Sequence, residues 1–182
     1  MNLRHILPVA AFALVACGGG EPADDAAPSG TPAPAPVAAA PALPTGPLTT
    51  PEWFHVIPEQ RMVHMIITAG ATPDQNYWNF NGALRGNTAI TVPEGYTVEI
   101  EFTNHDPNMA HSLGIHAETA NFSTPPQPTP VFAGAISQNP GSMIDGTMPN
   151  ETETVRFVAE RAGHYSMVCF IPGHSAIGMW LH

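Results

Sequence analysis

Lysine is absent from this sequence, and all five basic residues are arginine. Fifteen acidic residues oppose them, giving a formal net charge of -10, while only 11% of the chain is charged at all. The basic surface that would neutralise phosphates is missing, which excludes nucleic acid as a partner. Cysteine is nearly absent too, with only Cys17 and Cys169, so no disulfide framework carries the fold. The apolar run Ile6 to Ala16 is too short to span a bilayer. There is no Gly-x-Ser-x-Gly elbow, no glycine-rich phosphate loop and no His-x-His pair. These absences argue against an enzyme and leave no call for a small-molecule substrate. What is present is 182 residues, 43% of them hydrophobic, enough for one cored domain with an appendage. Nothing demands a second copy, and a monomer is expected.

The appendage is N-terminal. Arg4 followed by the run Ile6 to Ala16 has the layout of a secretory signal. The residues Leu14-Val15-Ala16-Cys17 resemble a bacterial lipoprotein signal, in which cleavage precedes the cysteine and lipid is attached to it. An ordinary signal peptide cut nearby, or an uncleaved anchor, is the plainer alternative. Gly18-Gly19-Gly20 supports the lipoprotein reading, because a flexible segment directly after Cys17 lets a lipidated end lie on a membrane. From Glu21 to about Leu48 the chain is mostly Pro and Ala without apolar periodicity. Such chain favours extended polyproline II at about 3.1 Å per residue and serves as a tether. The expected layout is a signal over 1–16, a lipidated Cys17 with a disordered linker over 17–50, and a folded domain over 51–182. It places the domain outside a bacterial cytoplasmic membrane, lipid-anchored and facing the periplasm or the exterior.

From about Pro51 the chain turns to aromatic and β-branched residues in short alternating stretches separated by Gly, Pro and Asn, the pattern of an all-β domain. In Tyr96 to Phe102, the residues Tyr96, Val98, Ile100 and Phe102 point one way and Thr97, Glu99 and Glu101 the other. Further strands are expected at Met62 to Thr68, Thr88 to Val92, Ser112 to Ala117, Thr154 to Val158 and Tyr165 to Phe170. Phe122 to Asn150 is dense in Pro and Gly and reads as a long loop. Many short strands without a sustained helix predict a Greek-key sandwich or barrel.

Near the end of the chain Cys169, His174 and Met179 follow one another with four residues between successive members. Thiolate, imidazole and thioether are ligand types of a blue-copper centre, which also takes a second imidazole. A strand ending at Cys169 aims its thiolate inward on the face of Tyr165 and Met167, Pro172-Gly173 turns the chain, and Gly178 returns Met179. The second imidazole should come from another strand. His111 follows the loop Asn104 to Ala110 and opens the apolar run Ser112-Leu113-Gly114-Ile115, which suits a ligand at a barrel rim. His105 lies in a polar loop and His116 on the opposite face, so both are expected to be solvated.

This C-terminal segment, together with Asn79-Phe80-Asn81-Gly82, Val92-Pro93-Glu94-Gly95, Asn104 and His111-Ser112-Leu113, resembles sulfocyanin, with rusticyanin a close relative among the cupredoxins. The similarity runs from about Ala69 to His182. It implies a cupredoxin β-barrel with one type 1 copper that carries single electrons between exported respiratory-chain proteins, such as a c-type cytochrome and a terminal oxidase. It also implies ligand roles for His111, Cys169, His174 and Met179. Ser112 and Asn104 are expected just behind the ligands, Ser112 as a hydrogen-bond donor to the thiolate where many cupredoxins have Asn. His174 is expected at the rim with its imidazole edge as the electron outlet, ringed by Pro172, Ala176 and Ile177 with Met148 and Trp180.

Three competing readings are weaker. A buried structural thiol is the common fate of a lone cysteine, but it does not explain the spacing or the spare His upstream. Zinc is disfavoured by a single thiolate and a thioether. A copper chaperone or store is the principal alternative function, and it would bind Cu(I) at an exposed, exchangeable site.

Overall fold

The computed structural model describes residues 45–46 and 49–182, and the signal expected over 1–16, Cys17 and most of the linker lie outside them. Among the described residues seven strands form: β1 (Phe54–Ile57), β2 (Met62–Ala69), β3 (Thr97–Asn104), β4 (Gly114–Ala117), β5 (Thr152–Val158), β6 (Tyr165–Val168) and β7 (Trp180–Leu181). The one α-helical turn is α1 (His174–Ile177). No described helix is long and apolar enough to cross a membrane.

The strands make two sheets, one in the order β1-β2-β3-β5 and the other β4-β6-β7. In the first, β2 and β3 run parallel while the outer pairs are antiparallel. The period-2 pattern of β3 explains its place, since Val98, Ile100 and Phe102 are fully buried while Glu101 is exposed. On β2 the same face carries Val63, Met65 and Ile67. These side chains meet Ile115, Met167 and Leu181 of the second sheet in one apolar core. Strand β6 is unusual in burying both faces, because Val168 packs with Phe122, Phe170 and Trp180 in a separate small cluster. A parallel β2–β3 pair needs a long crossover, and residues 70–96 supply it as irregular chain that folds back beside the C-terminal loop.

The structure departs from three expectations. Thr88 to Val92 forms no strand; its only ladder-like bonds run from Ile90 N–H to the His182 carbonyl and from His182 N–H to the Thr88 carbonyl. Strand β4 begins at Gly114 rather than Ser112, and β6 stops at Val168, because the chain leaves the ladder there to form the metal loop. The short β1 and β7 were not foreseen. The stretch 122–150 is a long loop as expected, tied down by isolated bridges of Gly114 to Ile136 and of His111 to Thr147.

Candidate metal centre

Two loops meet at one end of the sheets. The first joins β3 to β4 and ends in His111; its backbone bridges to Thr147 through two 3.0 Å hydrogen bonds, one each way. The second runs from Cys169 to Met179. Gly173 enters α1 with φ 91° and Gly178 leaves it with φ 131°. Both lie in the region that glycine tolerates and side chains resist, so the Pro-Gly and Gly turns read in the sequence are conformational requirements. The loop is closed by its own backbone: Cys169 N–H donates to the Met179 carbonyl at 3.1 Å, and Met179 N–H to the His174 carbonyl at 3.0 Å.

These constraints bring three donor atoms together. His111 Nδ1 and His174 Nδ1 lie 3.1 Å apart, and Cys169 Sγ lies 3.9 and 3.6 Å from them respectively. All three residues are fully buried. Donors in a plane around one ion, at metal–nitrogen and metal–sulfur bonds of about 2.0 and 2.3 Å, lie ~3.5–3.7 Å from one another. The triangle therefore has the dimensions of a single trigonal ion site. Met179 is also fully buried and belongs to the same core cluster as Cys169. Thiolate, two imidazoles and a thioether form the donor set that suits copper better than zinc.

Electrostatics prepares the imidazoles. Burial holds the His111 pKa below its ordinary value, against the opposing pull of Asp106. Burial, reinforced by the neighbouring His111, drives His174 down to about 3. Both rings are thus neutral at pH 7 and have lone pairs available for a metal. Cys169 goes the other way, as burial pushes its thiol up to about 11 despite donors from Ser112 and Ile171 that favour the thiolate. An incoming ion must therefore displace the thiol proton.

The supporting residues fall into place around this triangle. Ser112 Oγ lies 3.7 Å from Cys169 Sγ and accepts the Phe170 N–H at 2.8 Å. Asn104 Nδ2 donates to the carbonyls of Met109 and Thr147, both at 2.8 Å, which ties the His111 loop to the bridge that fixes His111. His105 is exposed and His116 partly so, and neither approaches the triangle.

The expected rim is different from the one observed. His174 has no exposed edge, because the Trp78 ring stacks on its imidazole with centroids 3.9 Å apart and planes 16° apart. Trp180 is buried in the small cluster and Met148 is half-buried, so the exposed apolar residues of the ring are Pro172, Ala176 and Ile177. Sequence reasoning missed Trp78, which lies in the crossover 96 residues before its partner. Its placement is over-determined. Asn79 beside it is buried and holds Thr72, Asp74 and Gly82 through their backbones. Arg85 then pins the crossover to α1, with Nε donating to the Ile177 carbonyl at 3.0 Å. This cover is costly. Gln75, Asn76 and Tyr77 are consecutive left-handed residues, at about 1–2 kcal/mol each. His174 Nε2 and Trp78 Nε1 are buried without a hydrogen-bond partner, each a penalty of about 1–3 kcal/mol. Sequence reasoning also passed over Asp106, whose carboxylate meets His111 Nε2 at 2.9 Å. Its signal was an Asp-Pro pair in the loop that precedes the candidate ligand.

Residues 52–182 match the family described as the Sulfocyanin (SoxE) domain. Sulfocyanin of Sulfolobus acidocaldarius is 29% identical over 125 residues, covering 66% of this chain and 61% of that protein. The chain thus spans less than two thirds of that relative. Rusticyanin of Acidithiobacillus ferrooxidans is 31% identical over 121 residues, covering 66% of this chain and 74% of that one. The solved structure of auracyanin A from Chloroflexus aurantiacus aligns with a TM-score of 0.43 at 24% identity, over 66% of this chain and 97% of the other.

The raised thiol pKa makes a prediction for the metal-free protein. The folded group keeps its proton to about 11 against an ordinary 9.0. Above pH 9 the unfolded chain loses that proton and the folded one does not, so the contribution is intact below pH 9 and falls away towards pH 11. Urea midpoints of metal-free protein should therefore decline across this window, and a Cys169→Ala variant should lack that part of the decline. Parallel curves for the two proteins would contradict it.

Proposed function

Since the chain belongs to the sulfocyanin family of cupredoxins, we propose that it is a blue-copper electron carrier whose single type 1 copper is held by His111, Cys169, His174 and Met179. The carrying observation is the buried triangle of two imidazole nitrogens and one cysteine sulfur, within 4.8 Å of one another. Copper bound there supplies one-electron chemistry between Cu(II) and Cu(I). The chain's own residues do the rest. Burial keeps water off the ligands, the bonded loop from Cys169 to Met179 holds the donors in one arrangement for both oxidation states, and the Ser112 and Ile171 donors withdraw density from sulfur.

A chaperone or store needs an exchangeable site, and donor residues with no exposed surface argue against one. A Cys169 nucleophile is disfavoured on the same ground, since the thiol is buried and its pKa is about 11. The outlet in this reading is the half-buried Trp78, which lies on His174, together with exposed Ile177. A partner can desolvate such a surface without stranding charge. Among the described residues 12 acids face four arginines, an excess that steers a basic redox protein such as a c-type cytochrome. A terminal oxidase is the other class of partner in view. We place the domain of residues 51–182 outside the cytoplasmic membrane, tethered through lipid on Cys17.

Three outcomes test this reading. Cu(II) added to the full chain should give intense thiolate-to-copper absorption, and Cys169→Ser should abolish the colour while far-UV circular dichroism stays that of a β-domain. A coloured Ser variant would refute the ligand assignment. Trp78→Ala and Ile177→Arg should keep the colour yet slow stopped-flow exchange with a basic c-type cytochrome by about tenfold, or ~1.4 kcal/mol of barrier. Unchanged rates would remove the outlet. Acyl labelling in the native host should disappear in Cys17→Ser, and mass spectrometry of an unmodified N-terminus elsewhere would remove the anchor.

A further inference from the structure

The two imidazoles of the triangle are supported in opposite ways. A histidine that offers Nδ1 to an ion carries its proton on Nε2, and a buried Nε2–H needs an acceptor. For His174 there is none, and its ring is held by stacking. For His111 the acceptor is a full carboxylate, Asp106 Oδ2, at 2.9 Å, with the two side chains 0% and 2% exposed.

That carboxylate is itself built in. Its other oxygen, Oδ1, accepts the N–H groups of Asn108 at 2.8 Å and Met109 at 3.2 Å. The Asp106 N–H donates to Asn104 Oδ1 at 2.8 Å. Asn104 holds the same loop through Met109 and Thr147. The anion is thus fixed in place by folding and available before any ion arrives.

We propose that Asp106 is a positioning residue with two effects: it fixes His111 with Nδ1 bare towards the ion, and its buried charge lowers the reduction potential of the centre. The proposal rests on the blue-copper reading above. The charge count gives the sign. Thiolate and carboxylate together contribute -2, so a divalent ion leaves the buried cluster neutral and a monovalent ion leaves it at -1. A net charge in a dry site is the less favourable case, so Asp106 favours the oxidised state. It works against the hydrogen bonds that the thiolate accepts from Ser112 and Ile171, which favour the reduced state. A charged partner outweighs a single neutral hydrogen bond roughly twofold. Asp106 is therefore a large single contribution on its side of the balance. No proton and no covalent bond is exchanged in this role; one electron enters or leaves the centre.

Asp106→Asn keeps the shape and one acceptor oxygen, enough for His111 Nε2 when the amide nitrogen takes the Oδ1 side, while removing the charge. In the copper-loaded full chain it should retain the colour and shift the equilibrium towards the reduced form by about tenfold or more at a given applied potential, which is ~59 mV upward for one electron. Retained colour with an unmoved potential would overturn the charge claim and leave the blue-copper reading standing. Absence of colour in the unsubstituted protein would sink that reading instead. The positioning claim is tested without copper or substitution, by long-range ¹⁵N–¹H correlations of the metal-free protein. His111 should appear as the single tautomer protonated at Nε2, and a population protonated at Nδ1 would overturn it. Asp106→Ala should lose that single tautomer and weaken Cu(II) binding, whereas Asp106→Asn should recover most of the affinity.

Discussion

Everything at the loop end of this molecule answers to one constraint: two imidazole nitrogens and a sulfur are forced within 4 Å of one another in a place that water does not reach. Without an ion these atoms lie at hydrogen-bonding distances from one another, and a rigid surround keeps them at that spacing. The surround is mainly backbone. The His111 bridge to Thr147 fixes one corner, and the bonds linking Cys169, Met179 and His174 fix the others. The sheets behind them supply the anchorage, since β3 leads into the His111 loop and β6 ends one residue before Cys169.

The second layer explains why the crossover is so irregular. Three left-handed residues and two orphaned nitrogens concentrate local cost in one short region. Such cost persists where surrounding contacts over-determine the geometry, and here those contacts are the Asn79 hub and the Arg85 clamp. Removing exposure from His174 also leaves a half-buried indole, in place of an imidazole edge, above the ligand triangle.

How far the sequence could be read depended on how local the information was. Val98, Ile100 and Phe102 repeat every second residue, and the strand they announce is β3. Cys169 and His174 lie in one loop with its Pro-Gly turn, so their convergence was written in their spacing. His111 is 58 residues from Cys169, but the turn-rich loop before it and the apolar run after it marked a rim. Phe54–Ile57 lacks alternation and shows a mixed burial pattern, so β1 had no signature beyond its pairing with β2. Thr88 to Val92 had the alternation, but only two hydrogen bonds, both with His182 just past β7, join it to its neighbour, too few for a strand. Trp78 was illegible for a further reason: its partner lies across the fold, and nothing around Tyr77-Trp78-Asn79 says which ring it will cover.

The burial of Cys169 bears on survival as well as on geometry. It is the free cysteine among the described residues. In an oxidising compartment an exposed thiolate is open to sulfenic acid formation, mixed disulfides and pairing with another chain's cysteine. Those reactions need thiolate and access, and this thiol is shut in with a pKa of about 11. The same packing that shapes the site therefore also shields its sulfur from oxidants.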